Sequence, residues 1–173
     1  MKSKWLVLAI SLLVLAGCHK PNWQDFSSAE GRFSVLMPGT PKDKSQTENT
    51  PLGPITTHIS IYSDNDSAFA VSYTEYPPSL MENFNVEKGL DGARNAQLGK
   101  FGSALISETP LSYQDTYPGR ELQMTLTKGD GKHAIRNRMY LIKNRLYQVM
   151  IILPKDELFS KDAVKFMDSF KLQ

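Results

Sequence analysis

Two histidines, an aspartate cluster, a pair of arginines and one cysteine carry most of the chemistry available to this chain. His58 and His133 each sit in a strand-like run, and His19 stands apart near the N-terminus. None belongs to a ligand spacing such as His-x-x-x-His, so neither zinc binding nor histidine-based catalysis finds a grouped set of residues. The chain has no Gly-x-Ser-x-Gly elbow, phosphate-binding loop or dinucleotide glycine fingerprint. Asp64-Asn65-Asp66, with Glu75 twelfth counting from Asp64, imitates a calcium loop. It fails at the fifth position, where Ala68 has no side-chain oxygen, and at the sixth, where Phe69 replaces the glycine of the sharp turn. An Asp/Asn hairpin turn is the better reading. Carboxylates are numerous, but no pair has a reason in the sequence to meet in a cleft. The expectation is therefore no enzyme, no metal and no cofactor. Arg136 and Arg138 alternate onto one face of a strand, where they could form a positive stripe for an acidic partner. The alternative is a solvated face balanced by Glu121.

The elements that would position these residues begin with an export segment. Met1 to Lys4 is short and positive, Trp5 to Val14 is apolar, and small residues precede Cys18. The apolar run from Trp5 to Cys18 is about 14 residues, short of the roughly 20 that span a bilayer. Leu15-Ala16-Gly17-Cys18 directly after such a run resembles the bacterial lipoprotein signal, the lipobox. The resemblance implies that residues 1–17 are removed as a signal peptide and that Cys18 is lipidated. Residues 18–30 would then be a lipidated tether and 31–173 a single domain. It also implies at least two acyl chains, which anchor a protein firmly where one does not. His19, where the family's retention signal has Asp, implies the periplasmic side of the outer membrane in a diderm host. Cys18 is the only cysteine, so the mature domain has no thiol for a disulfide or a nucleophile. Of 20 Lys and Arg, Lys2 and Lys4 fall in the export segment, leaving 18 against 18 acidic residues. That balance gives no electrostatic case for nucleic acid.

The domain itself is organised around Arg120 to Pro154, which reads as a three-stranded antiparallel meander. Leu122, Met124 and Leu126 alternate with polar residues, and Gly129-Asp130-Gly131 supplies a turn. The next strand sets Ile135, Asn137, Met139 and Leu141 against Ala134, Arg136, Arg138, Tyr140 and Ile142. A tight reversal at Lys143-Asn144 or Asn144-Arg145, with Asn144 tolerant of the left-handed region, leads to Leu146–Leu153, apolar on both faces except at Gln148, which predicts a central, covered strand. Upstream, Phe33 to Met37 is a short strand, and Lys42 to Pro54 is polar enough to predict a solvated loop. Ile55–Tyr62 and Ala68–Tyr76 form a hairpin. Val86, Leu90, Ala93 and Leu98 fall on one helical face, with Asn85 or Asn83 as cap, Gly99 or Gly102 as terminator, and Gly89 and Gly92 weakening the helix. Ala104–Glu108 is a further strand, and Thr109–Gly119, with Pro110 and Pro118, a connection. Ser160 caps a last helix whose Ala163, Phe166, Met167 and Phe170 form one stripe, with Phe159 and Val164 at staple positions.

Phe33-Ser34-Val35-Leu36-Met37-Pro38, Tyr117-Pro118-Gly119-Arg120-Glu121, Asn144-Arg145-Leu146-Tyr147 and Asp168-Ser169-Phe170-Lys171-Leu172, taken in this order of elements, are similar to the PsbP/Mog/DcrB-like superfamily. The resemblance covers roughly residues 30 to 173. It implies an α+β fold: an antiparallel sheet, from the hairpin and the meander, flanked by helices as an α/β/α sandwich. It also implies non-enzymatic work on membrane or envelope protein complexes, and it transfers no functional residue and no metal site. The expected function is a lipid-anchored extracytoplasmic binding or assembly module that touches a membrane or envelope protein. A small-molecule or lipid carrier, with a pocket between sheet and helices, is the alternative. A hydrolase is the third and least supported.

Overall fold

A computed structural model describes residues 21–50, 53–126 and 131–173. Cys18, the export segment and Gly129-Asp130 of the expected turn lie outside the described residues. The chain runs β1 (Gln24–Ser28), β2 (Phe33–Met37), β3 (Lys42–Thr50), β4 (Gly53–Ser63), β5 (Ala68–Glu75), α1 (Pro78–Met81), α2 (Val86–Phe101), β6 (Leu105–Tyr113), β7 (Tyr117–Thr125), β8 (His133–Ile142), β9 (Arg145–Pro154), α3 (Lys161–Ser169) and β10 (Lys171–Leu172). Among the described residues the strands form an antiparallel seven-stranded sheet, in the order β3-β4-β5-β9-β8-β7-β6, and a small sheet, β1-β2-β10.

The alternation along β8 and β9 decides the layers. Ile135, Met139, Leu141 and Leu146 bury against Leu90 of α2 on one face. Ala134, Tyr140, Ile142, Tyr147, Val149 and Ile151 bury against α3 and β2 on the other. β9 pairs with β5 and β8 and is central as expected, but only its α3 face is fully covered: Tyr147, Val149, Ile151 and Leu153 are buried, whereas Met150 and Ile152 on the other face are half-buried. Ala163, Phe166, Met167 and Phe170 of the α3 segment are all buried. Each large side chain among them is worth roughly 1.5–3 kcal/mol of burial before entropy is subtracted. Ser160 caps α3 by accepting from Ala163 N at 3.2 Å. Phe159 and Val164 hold the staple positions but stay exposed, and the Arg136 guanidinium sits 4.5 Å from the Phe159 ring.

The antiparallel α+β architecture is as expected, with few helices, but the structure differs from the sequence reading in four places. First, Lys42 to Thr50 is not a loop; it is β3, the edge of the large sheet. Polar and charged residues there suit an edge strand that must not recruit another sheet. Second, Thr109 to Gly119 is not a connection; β6 and β7 form a hairpin across it, turning at Gln114 and Asp115, both at positive φ (51° and 54°). Pro110 is tolerated because β6 is an edge, and Pro118 because it precedes the β7–β8 ladder, which begins at Gly119. Third, β1 occupies residues 24–28, so chain assigned to the tether is paired into the domain. Trp23 packs edge-on against Phe69 at 6.1 Å, and Phe26 lies 6.1 Å from Phe33. The layer opposite α2 is thus shared by α3 and the small sheet. Fourth, at the β8–β9 turn it is Lys143 that takes the left-handed conformation (φ 55°). Asn144 instead donates from Nδ2 to the Tyr76 carbonyl at 2.9 Å.

Candidate functional site

The face that carries α2 is only partly covered by it. α2 crosses β7 and β8, leaving β3, β4, β5 and β9 open beside it. Between them lies a cavity of about 680 Å³, within the range of small-molecule sites. Its sheet wall follows from strand alternation: Ile55, Thr57 and Ile59 of β4, Ala70, Ser72 and Thr74 of β5, and Leu146, Gln148 and Met150 of β9. These are small or medium side chains, and no large ring of the sheet fills the space. The helix wall is smaller still, built by Gly89, Gly92, Ala93, Ala96 and Gly99 at helical spacing. A Cβ added at Gly92 or Gly99 would meet no atom within 4 Å. Tyr76, Leu80 and Phe84 close one end and Phe101 another. Burial raises the Tyr76 hydroxyl above its ordinary pKa, so it stands neutral in the wall.

Polar groups sit at defined points of this apolar space. Gln148 Oε1 accepts from Gln97 Nε2 and, at 3.0 Å, from Asn137 Nδ2. Asn85 caps α2 by accepting from Lys88 N at 2.9 Å, and Gly102 ends it at φ 57°. At the outer edge, Gln46 links two charges. Its Oε1 accepts from Lys100 Nζ at 3.2 Å, and its Nε2 donates to Glu48 Oε1 at 3.1 Å.

Beside the apolar packing of Leu90, an ionic cluster around Arg120 ties α2 to β6 and β7. Its guanidinium pairs with Glu87 (2.7 Å), Asp91 (2.6 Å) and Glu108, while Arg94 pairs with Asp91 (3.2 Å) and Glu108 (2.8 Å). Burial alone would raise the Glu108 carboxyl, but hydrogen bonds and charge from Arg94 and Arg120 outweigh it and hold its pKa below the usual range. The sequence carried a signal for this: Glu87, Asp91 and Arg94 recur at i, i+4 and i+7, a helical stripe directly beside Leu90.

Arg136 and Arg138 do share a strand face, but α3 covers it. Arg136 is 5% exposed. Its Nη2 donates to Glu121 Oε2 at 2.9 Å, and Arg138 Nε reaches the same oxygen at 2.7 Å. Arg138 Nη1 also donates to Asp168 Oδ1 (2.6 Å) and to the Met167 carbonyl (3.2 Å). The expected stripe is therefore an internal network tying β7 and β8 to α3, with its charge spent on this chain's own acids. Burial would raise Glu121, but hydrogen bonds from Arg136 and Arg138 prevail and its pKa lies below the ordinary value.

The histidines are far apart in the fold and differently engaged. His58 stacks on Tyr73 at 4.8 Å, in a polar hollow of about 260 Å³ with Glu30, Asp43, Lys44 and Ser60. Ser60 donates to Asp43 Oδ1 at 2.6 Å, so its hydroxyl is directed to the carboxylate. Burial, then the nearby Glu30 carboxylate, pushes Tyr73 up to about 12. His133 Nε2 lies 2.9 Å from Asp66 Oδ1. Asp64 builds the turn before it, its Oδ1 accepting from Asp66 N and Ser67 N at 3.0 and 2.8 Å. That is the expected Asx hairpin turn. Among the described residues no group of three or more His, Cys, Asp or Glu is placed to hold a metal ion.

No protein-family model matches the chain, and no curated protein sequence matches it. The solution structure of the cyanobacterial PsbP protein, CyanoP, from Synechocystis is similar, with a TM-score of 0.58 at 14% identity, covering 94% of this chain and 99% of that one. This shows a PsbP-like fold, and at such identity the fold alone. A crystal structure of PA94 from Pseudomonas aeruginosa, a protein of unknown function described as a putative regulator, gives a TM-score of 0.39 at 10% identity, covering 79% of this chain and 85% of that one. No argument rests on the latter.

Proposed function

We propose that this PsbP-like chain is a lipid-anchored, extracytoplasmic binding protein that performs no catalysis, and that it binds its ligand in the cavity beside α2. One observation carries the reading. A helix that could have packed tightly on the sheet instead presents glycine and alanine to it, and a space of about 680 Å³ remains. The space opens to solvent beside α2, and its mostly apolar lining is that of a ligand cleft and not of ordinary solvated surface. The carrier alternative read from the sequence thereby moves ahead of a module that works by surface contact alone. Attachment through Cys18 is supported by the Leu-Ala-Gly-Cys sequence after a short apolar run. No helix among the described residues is long and apolar enough to cross a membrane.

The test uses the full chain and an environment-sensitive apolar dye. Saturable binding of one dye per chain, lost in a Gly92→Leu/Gly99→Leu variant that still folds, is the expected result. Dye fluorescence that never rises, or that rises equally in the filled variant, overturns the reading. Metabolic labelling with an alkyne fatty acid checks the anchor: label on the wild type and none on Cys18→Ala. A second reading, contact with a membrane or envelope protein, is favoured by β3, whose outer edge is exposed and polar. Crosslinking in intact membranes tests it, with a reproducible adduct to β3 as the positive result.

A further inference from the structure

We infer that the occupant of the α2 cavity is a monoacyl lipid with a zwitterionic head, its single chain inside and its head at the Gln46–Glu48–Lys100 edge. This rests on the binding reading above and names the ligand class. The argument begins with the distribution of polarity. The inner walls offer Ile55, Ile59, Phe84, Leu146 and Met150, with no ionised group among the lining residues except Glu48 and Lys100. A ligand whose charges lay inside would face a heavy desolvation penalty, so the buried portion is uncharged, and the mostly apolar walls, broken by Thr57, Ser72, Thr74 and Gln148, suit a hydrocarbon chain.

The outer edge narrows the choice of head. Lys100 supplies a cation and Glu48 an anion, and Gln46 holds both through one amide. A fatty acid would satisfy Lys100 and be repelled by Glu48. A purely cationic head would do the reverse. A head carrying both phosphate and ammonium meets both charges with opposite signs, and the Gln46 amide can serve either. Two hydrocarbon chains are disfavoured by the way the space is bounded. It lies between one helix and one sheet face and measures about 680 Å³, room for one long acyl chain and not for two. The small residues of α2 set its width.

The experiment titrates full-length protein with lysophosphatidylethanolamine of increasing chain length, below micelle formation, by displacement of the bound dye. Affinity should rise about fourfold per added methylene until the slot is full, as apolar transfer requires. At equal chain length, lysophosphatidylglycerol and the free fatty acid should bind at least tenfold more weakly. Lys100→Gln combined with Glu48→Gln should abolish that preference while chain-length dependence remains. Gly92→Leu/Gly99→Leu, checked by thermal unfolding to be folded, should bind none of them. Equal affinity for the anionic lipids, a flat chain-length profile, or lipid binding that survives in the filled variant overturns the inference. If the dye binds and no monoacyl lipid displaces it, the lipid assignment falls and the cavity reading stands. If neither dye nor lipid binds, both fall.

Discussion

Replacing Gly92 and Gly99 with alanine should make this protein more stable. Glycine in a helix interior is less favourable than alanine by about 1 kcal/mol. That gain is realised where the added Cβ meets no clash, and at either position it meets nothing within 4 Å. Gly99 lies in the last turn of α2, where the gain is smaller. The two sites are seven residues apart, roughly 10 Å along the helix, so their effects should add. The pair is worth about 1.5 kcal/mol, which for a domain of this size raises Tm by about 3–6 °C. Gly89→Ala provides the contrast, because its Cβ would come within 2.3 Å of the Phe84 ring. That ring must move, and it stands 6.1 Å from Tyr76, so the helical gain is offset. Calorimetry of the three variants, with urea unfolding to check that the m-value is unchanged, reads the result. A lower Tm in the Gly92→Ala/Gly99→Ala protein would mean that the helix is packed where the structure leaves it open, and the reasoning from the cavity would fail. The gain should come with weaker ligand binding, since stability and an open site compete for the same positions.

Glu121→Gln should destabilise by about 3–5 kcal/mol at neutral pH, because Arg136 and Arg138 lose the carboxylate that compensates their burial. Since the folded pKa of Glu121 is depressed, its contribution is present above the unfolded value of about 4.3 and is lost as pH falls through the folded value. The wild type should therefore lose stability on acidification below about pH 4.3 more steeply than Glu121→Gln, as read by urea unfolding across pH. Gly119→Ala should cost about 1–3 kcal/mol, because its Cβ would lie 2.3 Å from the Met139 carbonyl oxygen and the β7–β8 backbone must part. Arg120→Met should cost about 1–3 kcal/mol and raise hydrogen exchange across Val86–Phe101, because three carboxylates lose their shared partner.

Much of the scaffold was legible because its signals are local. The two faces of β8, the central place of β9, the Asn85 cap and the buried stripe of α3 all follow from periodicity and capping chemistry. β3 was hidden because an edge strand exposed on both faces has no apolar period to read. The β6–β7 hairpin was hidden because Gln114 and Asp115 take its left-handed positions without a glycine, and two prolines looked like breakers. For Arg136 and Arg138, the sequence assigns the shared face but not what covers it. Only the packing of α3 decides that the charges turn inward. The cavity was the least legible feature. Gly89 and Gly92 read as weaknesses of a helix, although with Ala93, Ala96 and Gly99 they recur at helical spacing on one side. A sequence can show that a helix face is small; which strands the helix crosses, and so what space it leaves, is decided by long-range packing.

Native mass spectrometry of the full chain, extracted gently from membranes, tests the central claim most directly. The wild type should carry one non-covalent adduct with the mass of a monoacyl lipid, and Gly92→Leu/Gly99→Leu, equally folded, should carry none. A wild type that is bare, or an adduct that persists when the cavity is filled, would contradict the account.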